Sequence, residues 1–306
     1  MKRERGVALI VAVLLVALAT LIVASLIDTT DLAFARTRNL MREQQAFAYA
    51  RGLETWAMDG LRRDQNEEPG IDSNGDVWAR PLPPLDVPGG KLSGRLRELN
   101  GCFNLNHLVV NGVEDALARR RFERLLRALK LPPELADAVI DYADADSDPG
   151  RRGAEDMAYL LANPPRRAAN QAFAHVSELR LVRGVDDKAY RVLEPHVCAN
   201  PEASGINVNT ATAPVLMSLA DNLDEARARQ LNDEGRARMS TLDAFDAKLQ
   251  QLGLVLDGGP VKLGVASDQF QAEAVIELDG IPFRYYSRIA REQQGHRVVY
   301  RSRGVD

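Results

Sequence analysis

The hydrophobic pattern of the chain begins with one long apolar run behind a short basic segment. Lys2, Arg3 and Arg5 precede the run, and Val7–Ile27 contains no charged residue. As a helix that rises roughly 1.5 Å per residue, this run is about 30 Å long, the thickness of the hydrocarbon core of a bilayer. The basic residues predict that the N-terminus is cytoplasmic and that the rest of the chain lies on the far side of the membrane.

A removable signal peptide is the first alternative to an anchor. Ala17-Leu18-Ala19 has the small residues of a signal peptidase site. The apolar run continues beyond Ala19 to Ile27, however, and cleavage there would leave an apolar stub on the mature protein. A retained transmembrane helix over residues 7–27 is therefore the favoured interpretation.

The helical pattern continues past the membrane. No proline occurs from Asp28 to about Arg63, and charged residues occupy the remaining faces. The apolar residues that recur at helical spacing are Leu32, Phe34, Ala35, Leu40, Phe47, Ala50, Leu53, Trp56 and Ala57. The pattern predicts one continuous helix, with its first half in lipid and its second half amphipathic.

Strand patterns lie on both sides of a central helical region. The Pro- and Gly-rich residues 64–91 predict a long loop, and "KLSGRLRELNGCFNLNHL" predicts one or two strands. Near the C-terminus Asp279-Gly280 predicts a hairpin turn, and "HRVVYRS" a final strand. The alternating apolar residues of the strand before that turn are Phe270, Ala272, Ala274, Ile276 and Leu278.

The segments between these strands have helical periodicity. They include "VEDALARRRFERLLRALKL", "PPELADAVIDYADAD" and "VSELRLVRGVDDKAYRVLEPHV", the last with a turn at Gly184. Two similar phrases, "FNLNHL" and "INVNTA", flank this block as a weak repeat. The prediction is an α+β fold: a long helix on a small antiparallel sheet, with residues 28–106 and 205–306 forming one domain and an all-α domain, 107–204, inserted into it.

The net charge, the cysteine content and the lack of catalytic motifs limit the classes of function that the chain can have. The formal net charge of −4 gives no global attraction to nucleic acid. The two cysteines, Cys102 and Cys198, predict a disulfide on the oxidising side of a membrane, with two unrelated buried thiols as the alternative. No catalytic motif is present, and the four histidines are scattered without acidic partners, so we expect no enzyme activity. A calcium-dependent hydrolase hidden in the helical domain is the competing enzyme hypothesis.

The densest candidate site is acidic. Asp144, Asp146, Asp148 and Glu155 occupy positions one, three, five and twelve of a loop, which is the ligand spacing of an EF-hand. Asp141 and Asp156 are further candidate ligands. Pro149 stands where an EF-hand needs Gly, so the loop is not a true EF-hand, and a solvated acidic loop is the alternative to a calcium site.

Two other patterns favour structural roles. Asp72, Asn74 and Asp76 also alternate, but no carboxylate follows at the right distance, so we interpret this run as a turn. "LPPELADAVIDY" has the outline of one arm of a helix-hairpin-helix DNA module. It lacks the Gly-rich hairpin and leads into acidic residues that would repel phosphate, so we expect no nucleic acid partner.

The N-terminus resembles the class III signal of type IV prepilins and type II secretion pseudopilins. The resemblance implies that residues 1–6 are a leader, which a prepilin peptidase removes between Gly6 and Val7 while the apolar helix stays on the mature protein. Pseudopilins usually carry Glu at the fifth mature position, which is Val11 here. Minor pseudopilin K is the family member that typically lacks this Glu.

The rest of the chain is also similar to the family of minor pseudopilin K, or general secretion pathway protein K. The matching phrases, in the order of the family, are "FNLN", "DYADADSDP", "GAED", "AANQAFAHVSELRLVRG", "PHVCANP" and "INVNTATA". The resemblance implies a pilin-like fold and calcium binding in the helical domain. It implies a single-pass protein of the inner membrane with a periplasmic domain.

The resemblance also implies a function and a set of partners. The expected function is to form or cap the tip of the pseudopilus that exports folded proteins across the outer membrane. The expected partners are the other minor pseudopilins, the major pseudopilin and the prepilin peptidase. The alternative is a periplasmic scaffold unrelated to pili, with an anchor that is never cut.

Overall fold

The first element of the structure is a very long helix. In the computed structural model, which describes residues 4–259, 262–293 and 295–304, α1 spans Glu4–Glu67. Its 64 residues make it roughly 96 Å long at 1.5 Å per residue. Within the described residues α1 is the one helix long and apolar enough to cross a membrane, and its apolar half is fully exposed. The predicted continuous helix is confirmed; the predicted leader, residues 1–6, lies partly outside the described residues.

The second half of α1 packs on a five-stranded antiparallel sheet with the strand order β1-β2-β9-β10-β11. The strands are β1 (Leu82–Val87), β2 (Gly90–Glu98), β9 (Gln269–Leu278), β10 (Ile281–Glu292) and β11 (Gly295–Arg303). The turn between β9 and β10 is formed by Asp279 and Gly280, which have φ of 49° and 78° as a tight hairpin requires. The predicted hairpin and final strand are confirmed.

Strand β1 is a departure from the sequence prediction, which assigns residues 64–91 to a loop. Pro83 and Pro84 lie within β1, and proline cannot donate a backbone hydrogen bond. β1 tolerates both because its pairing with β2 is irregular between Leu82 and Leu85, where the two prolines lie, and because the other side of this edge strand needs no partner.

Two apolar clusters hold α1 on the sheet. The cluster nearer the membrane contains Ala46, Ala50 and Leu53 of α1 with Leu92, Ala274, Ile276, Leu278 and Tyr285 of the sheet. The cluster nearer the end of α1 contains Ala57 and Leu61 with Trp78, Leu96, Phe270, Ala272 and Ile289. The alternating residues of β9 therefore face α1, as predicted. Because β2 ends and β9 begins at the second cluster, the segment between them leaves the sheet at the end far from the membrane.

That segment is a helical domain with one apolar core of its own. The core extends in sequence from Phe103 to Leu256. The elements between β2 and β9 are β3 (Phe103–Asn104), β4 (Val109–Val110), β5 (Val113–Glu114), α2 (Ala116–Ala128), α3 (Leu135–Ala143), α4 (Asp156–Leu160), α5 (Asp187–Leu193), β6 (Val197–Cys198), β7 (Ile206–Asn207), α6 (Ala213–Met217), α7 (Glu225–Leu231), α8 (Leu242–Gln251) and β8 (Leu263–Gly264). The predicted turn at Gly184 separates a 3₁₀ helix, Val176–Leu181, from α5.

The two similar phrases "FNLNHL" and "INVNTA" each begin a helical unit, and the two units are built alike. β3 pairs in parallel with β6, and β7 pairs in parallel with β8. The Asn106 amide accepts a hydrogen bond from Phe173 N (2.7 Å) and donates to Phe173 O (3.0 Å). The Asn209 amide makes the same pair of bonds to Met239, at 2.7 Å and 3.0 Å. The predicted repeat is therefore real, but the phrases begin two consecutive units instead of flanking one.

This arrangement corrects the predicted domain boundary at residue 204. α6, α7 and α8 lie in the predicted second part of the sheet domain, 205–306, yet they pack into the helical core, and the sheet resumes only at Gln269. The boundary is misplaced because these helices, of 5, 7 and 10 residues, are short for periodicity to reveal them.

Candidate functional site

Three carboxylates meet where α3 ends and α4 begins. Asp141 lies in the last turn of α3, Asp144 follows the helix as its C-cap, and Glu155 is the N-cap of α4. One carboxylate oxygen from each lies within 4.8 Å of the other two. The loop between the helices folds back, so residues far apart in the loop converge on one point.

The loop is shaped by backbone bonds to the acids of α3. Asp141 Oδ2 accepts a hydrogen bond from Gly150 N (2.9 Å), and Asp137 Oδ2 accepts one from Arg152 N (3.0 Å). A Cβ atom at Gly153 would overlap Asp141 Oδ2, so only glycine lets the backbone approach this carboxylate. Arg119 pairs with Asp137 and not with the three clustered acids.

Two of the three clustered acids, Asp144 and Glu155, have carboxylate oxygens without a hydrogen-bond partner in the described part of the chain. Asp144 is 7% exposed and Glu155 is 6% exposed, yet Asp144 Oδ1 and both Glu155 oxygens accept no hydrogen bond there. Burial, followed by repulsion from Asp144 and Asp141, raises the pKa of Glu155 to about 7. Burial, followed by repulsion from Asp146 and Asp141, raises the pKa of Asp144 to about 6. Buried carboxylates of this kind require a proton or a cation.

Of the six predicted metal ligands, Asp141, Asp144 and Glu155 form this cluster. Asp146 and Asp148 are exposed, and Asp146 Oδ1 accepts a bond from Asp148 N (2.8 Å). Asp156 is not one of the three clustered acids; its Oδ1 accepts a hydrogen bond from Ala168 N (3.0 Å). The EF-hand spacing therefore identifies two members of the cluster, and the third is the acid that precedes the loop on α3.

The chemistry of the donor set fits a hard divalent cation. The group consists of three carboxylates, two of which have orphaned oxygens, and it contains no histidine or thiolate; carboxylate oxygens are the ligands that Ca²⁺ prefers. The calcium ion itself stays a prediction.

A second group of acidic residues is paired with arginine side chains. Asp64, Asp72 and Asp76 also bring oxygens within 4.8 Å. Asp72 pairs with Arg291, and Asp76 pairs with Arg238. The predicted turn at Asp72–Asp76 is present, since Ser73 N donates to Asp76 Oδ2 (2.7 Å). Two guanidinium groups thus supply the charge that a metal would otherwise supply.

A polar joint connects the sheet to the helical domain, and sequence reasoning did not find it. Asn100 Nδ2 donates to Gly205 O (2.9 Å) and to Asp268 Oδ1 (2.6 Å), so it ties the chain leaving the sheet to the chain returning. Glu98 accepts from Ser267 Oγ (2.7 Å), and its burial raises its pKa to about 7. The side chains of this hydrogen-bond network come from distant parts of the sequence, so no local sequence pattern predicts it.

The predicted disulfide is present. Cys102 and Cys198 are bonded, with Cα atoms 5.7 Å apart, and they are 96 positions apart in sequence. Because β3 and β6 are paired beside it, the bond closes the first helical unit instead of the whole inserted domain.

The fold and the site together define a class: a membrane-anchored, pilin-like subunit whose sheet carries an inserted, disulfide-closed helical domain with an acidic cluster. A sequence family described as "Type II secretion system (T2SS), protein K" matches residues 101–202, and a second family of the same description matches residues 206–266. The two matches coincide with the two helical units.

Relatives that match the chain over nearly its whole length have the same description. The chain is 38% identical to "Type II secretion system protein K" of Pseudomonas aeruginosa, over 98% of this chain and 93% of the relative. It is 35% identical to the protein of that name from Pectobacterium carotovorum, over 99% and 97%. The structure resembles a chain in the crystal structure of the GspK-GspI-GspJ complex from enterotoxigenic Escherichia coli, with a TM-score of 0.75 and 28% identity over 89% of this chain and 100% of that one. The chain belongs to the type II secretion system protein K family.

Proposed function

We propose that the chain is a minor pseudopilin that caps the tip of the periplasmic pseudopilus and supports its assembly for the export of folded proteins across the outer membrane. The observation that carries the proposal is the position of the helical domain. The helical domain is inserted between β2 and β9, at the end of the sheet that packs on the C-terminal end of α1, far from the apolar half of that helix. A domain of this size above the sheet would obstruct another subunit stacked on the same axis. The role is assembly, without a catalysed reaction.

The proposed partners follow from this position. Other minor pseudopilins of the tip complex would pack beside α1, and the major pseudopilin would continue the filament below. Val11 supports a terminal place, because no carboxylate stands there to neutralise the amino terminus of a neighbouring subunit.

The tip position can be tested by labelling. Val255 lies in the helical domain and is 79% exposed, so a gold label on the Val255→Cys variant should leave assembly intact. Electron microscopy of filaments assembled with the chain's own partner pseudopilins should show one label at one end. Labels spaced along the filament would overturn the capping role.

We propose that the apolar half of α1 is first an inner-membrane anchor, with a cytoplasmic N-terminus, and that a prepilin peptidase cuts between Gly6 and Val7. The alternative is a scaffold whose anchor is never cut. Incubation with prepilin peptidase distinguishes them, because loss of the mass of residues 1–6 supports the pseudopilin and an unchanged mass supports the scaffold.

We propose that Asp141, Asp144 and Glu155 hold a calcium ion in the helical domain. The orphaned carboxylate oxygens support this assignment. Asp146, whose charge acts on both Asp144 and Glu155, and Asp148, whose backbone N–H donates to Asp146 Oδ1, are exposed acids of the same loop that could complete the coordination. When bound, the ion would neutralise the cluster and join α3 to α4. Isothermal titration of calcium into chelator-treated protein should show saturable binding, and Glu155→Gln should weaken it.

A further inference from the structure

A cleft of about 970 Å³ lies between the sheet and the first helical unit, on the face of the sheet opposite α1. Its floor is one row of side chains from residues that are paired across β2, β9, β10 and β11, namely Arg97, Gln271, Arg288 and Tyr300. Their sequence neighbours Leu96, Phe270 and Ile289 pack on α1, so the row faces away from that helix. The roof of the cleft includes His175, Tyr190 and Pro195 of the helical unit. We call this space the inter-domain cleft.

The dimensions of the inter-domain cleft fit one extended polypeptide segment. Adjacent strands are about 4.8 Å apart, so the row from Arg97 to Tyr300 is about 14 Å long, the length of roughly four extended residues. The volume is at the upper end of the range for small-molecule sites. The roof is held against the floor, since Arg288 Nη2 donates to Ala199 O (2.9 Å). A roofed cleft of this kind admits a single chain and excludes a flat bilayer surface.

The middle of the floor carries two guanidinium groups that make hydrogen bonds to neutral acceptors. Arg97 Nη2 donates to Gln271 Oε1 (3.0 Å), and Arg288 donates to the carbonyl of Ala199. Glu194 is the one acid among the described residues of the roof. Among the described residues, two guanidinium groups therefore face one carboxylate across the cleft.

The other charged side chains that line the cleft are bound outside its middle. Arg95 forms an ion pair with Glu273, and Arg297 forms one with Glu292. The remaining lining charges are those of Glu98 and Asp268 in the polar joint and of Arg291, which is paired with Asp72. Because a cleft concentrates the field of the charges that line it, the positive excess in the middle favours an anionic ligand.

We propose that the inter-domain cleft binds an extended, acidic segment of a partner protein. A guanidinium group presents a planar pair of N–H donors that fits a carboxylate, so Arg97 and Arg288 bind acidic side chains of the segment. The two arginines are two strands apart, about 10 Å, and alternate residues of an extended chain project on one side about 7 Å apart. The amide of Gln271 between them suits the main chain of the segment, and the ring of Tyr300, which is 58% exposed, suits its apolar parts.

A peptide with alternating acids tests the site. The probe is a fluorescein-labelled peptide of three Thr-Glu repeats, and the full-length protein is kept in detergent. Fluorescence anisotropy should show saturable binding that weakens at high salt. A labelled peptide of three Thr-Gln repeats should bind at least about tenfold more weakly, because it cannot form the charge-assisted hydrogen bonds.

Substitutions on the floor locate the binding. Arg97→Gln should weaken binding of the Thr-Glu peptide at least about tenfold. Arg97→Lys keeps the charge without the planar pair of donors, so its affinity should lie between those of the unchanged protein and Arg97→Gln. Arg229→Gln is the matched control, since Arg229 is an exposed arginine of α7 outside the cleft, and it should bind like the unchanged protein. All three variants should have unchanged circular dichroism.

Three results would overturn the proposal: no binding of the Thr-Glu peptide at millimolar concentration, equal binding of the two peptides, or equal binding by Arg97→Gln and the unchanged protein. If the peptide does not bind and Arg97→Gln changes self-association in sedimentation, the cleft is instead a contact between two copies of this chain.

Discussion

Asp72 and Arg291 form a buried, two-pronged ion pair beneath the joint between the domains. Arg291 Nη1 donates to Asp72 Oδ2 at 2.6 Å and Nη2 donates to Oδ1 at 3.0 Å. Asp72 is completely buried and also accepts a bond from Ser267 N at 2.8 Å. The pair links the loop after α1 to β10 and to the segment that returns from the helical domain.

Removing one partner of this pair should be costly. Asp72→Ala leaves the Arg291 guanidinium without its carboxylate in a buried place, so we expect a loss of about 3–5 kcal/mol in the free energy of unfolding. Denaturant unfolding of the protein in detergent measures it. The exposed pair Arg297–Glu292 is the control, and Arg297→Ala should change stability little. Equal effects of the two substitutions would contradict the structural role of the buried pair.

The disulfide should stabilise the first helical unit. In the chain-entropy model, a closed loop of this length contributes about 4–5 kcal/mol. The double substitution Cys102→Ala and Cys198→Ala should lower the melting temperature, and reductant should then have no further effect. An unchanged melting temperature would mean that the paired β3 and β6 hold the ends together without the bond.

Calcium should raise the melting temperature of the protein, because an ion that binds only the folded state stabilises it by mass action. EDTA should reverse the shift. Glu155→Gln and Asp144→Asn should abolish the EDTA effect, whereas Asp243→Asn, an exposed acid in the first turn of α8, should retain it. If neither calcium nor EDTA changes the melting temperature, the calcium site is excluded and the acidic residues form a solvated loop.

The acidic cluster should also give the calcium-free protein a particular pH dependence. The pKa of Glu155 is raised to about 7 in the folded state, so the folded state holds more protons than the unfolded state between roughly pH 4.5 and 7. Stability should therefore rise as the pH falls through this window, and calcium affinity should fall. Thermal unfolding in EDTA at several pH values measures the first effect, and Glu155→Gln should flatten the slope.

Gly6 should be essential for maturation if the leader is cut at Gly6–Val7. Glycine lets a protease approach the backbone closely, and a bulky side chain would block that approach. Gly6→Leu should therefore accumulate as precursor, detected by the mass of the membrane fraction. Normal maturation of this variant would exclude the proposed cut, and Ala8→Leu serves as a control for added bulk on the helix side.

The long elements were predictable because their patterns are long. α1 and the β9–β10 hairpin repeat one period over many residues, and an Asp-Gly pair marks the hairpin turn. β1 was not predictable, since Pro83 and Pro84 argue against a strand unless its edge position is known. α6 is a single turn, so the extent of the inserted domain required the tertiary structure.

The candidate site was predictable in part for a similar reason. Asp144 and Glu155 follow a recognisable loop spacing, and the helical spacing of Asp141 to Asp144 places both at the same end of α3. Which acids turn inward depends on Gly153, whose missing side chain admits the Asp141 carboxylate. The joint residues Asn100 and Asp268 are 168 positions apart, and only the fold brings them together.

The place where the helical domain joins the sheet has an evolutionary consequence. Glu98 at the end of β2 lies directly opposite Phe270 near the start of β9, in adjacent antiparallel strands. Adjacent strands are about 4.8 Å apart, a distance that a short turn can span. An ancestral subunit could therefore have had a simple hairpin here, and could have gained two helical units by insertion at that turn without any change in the register of its sheet.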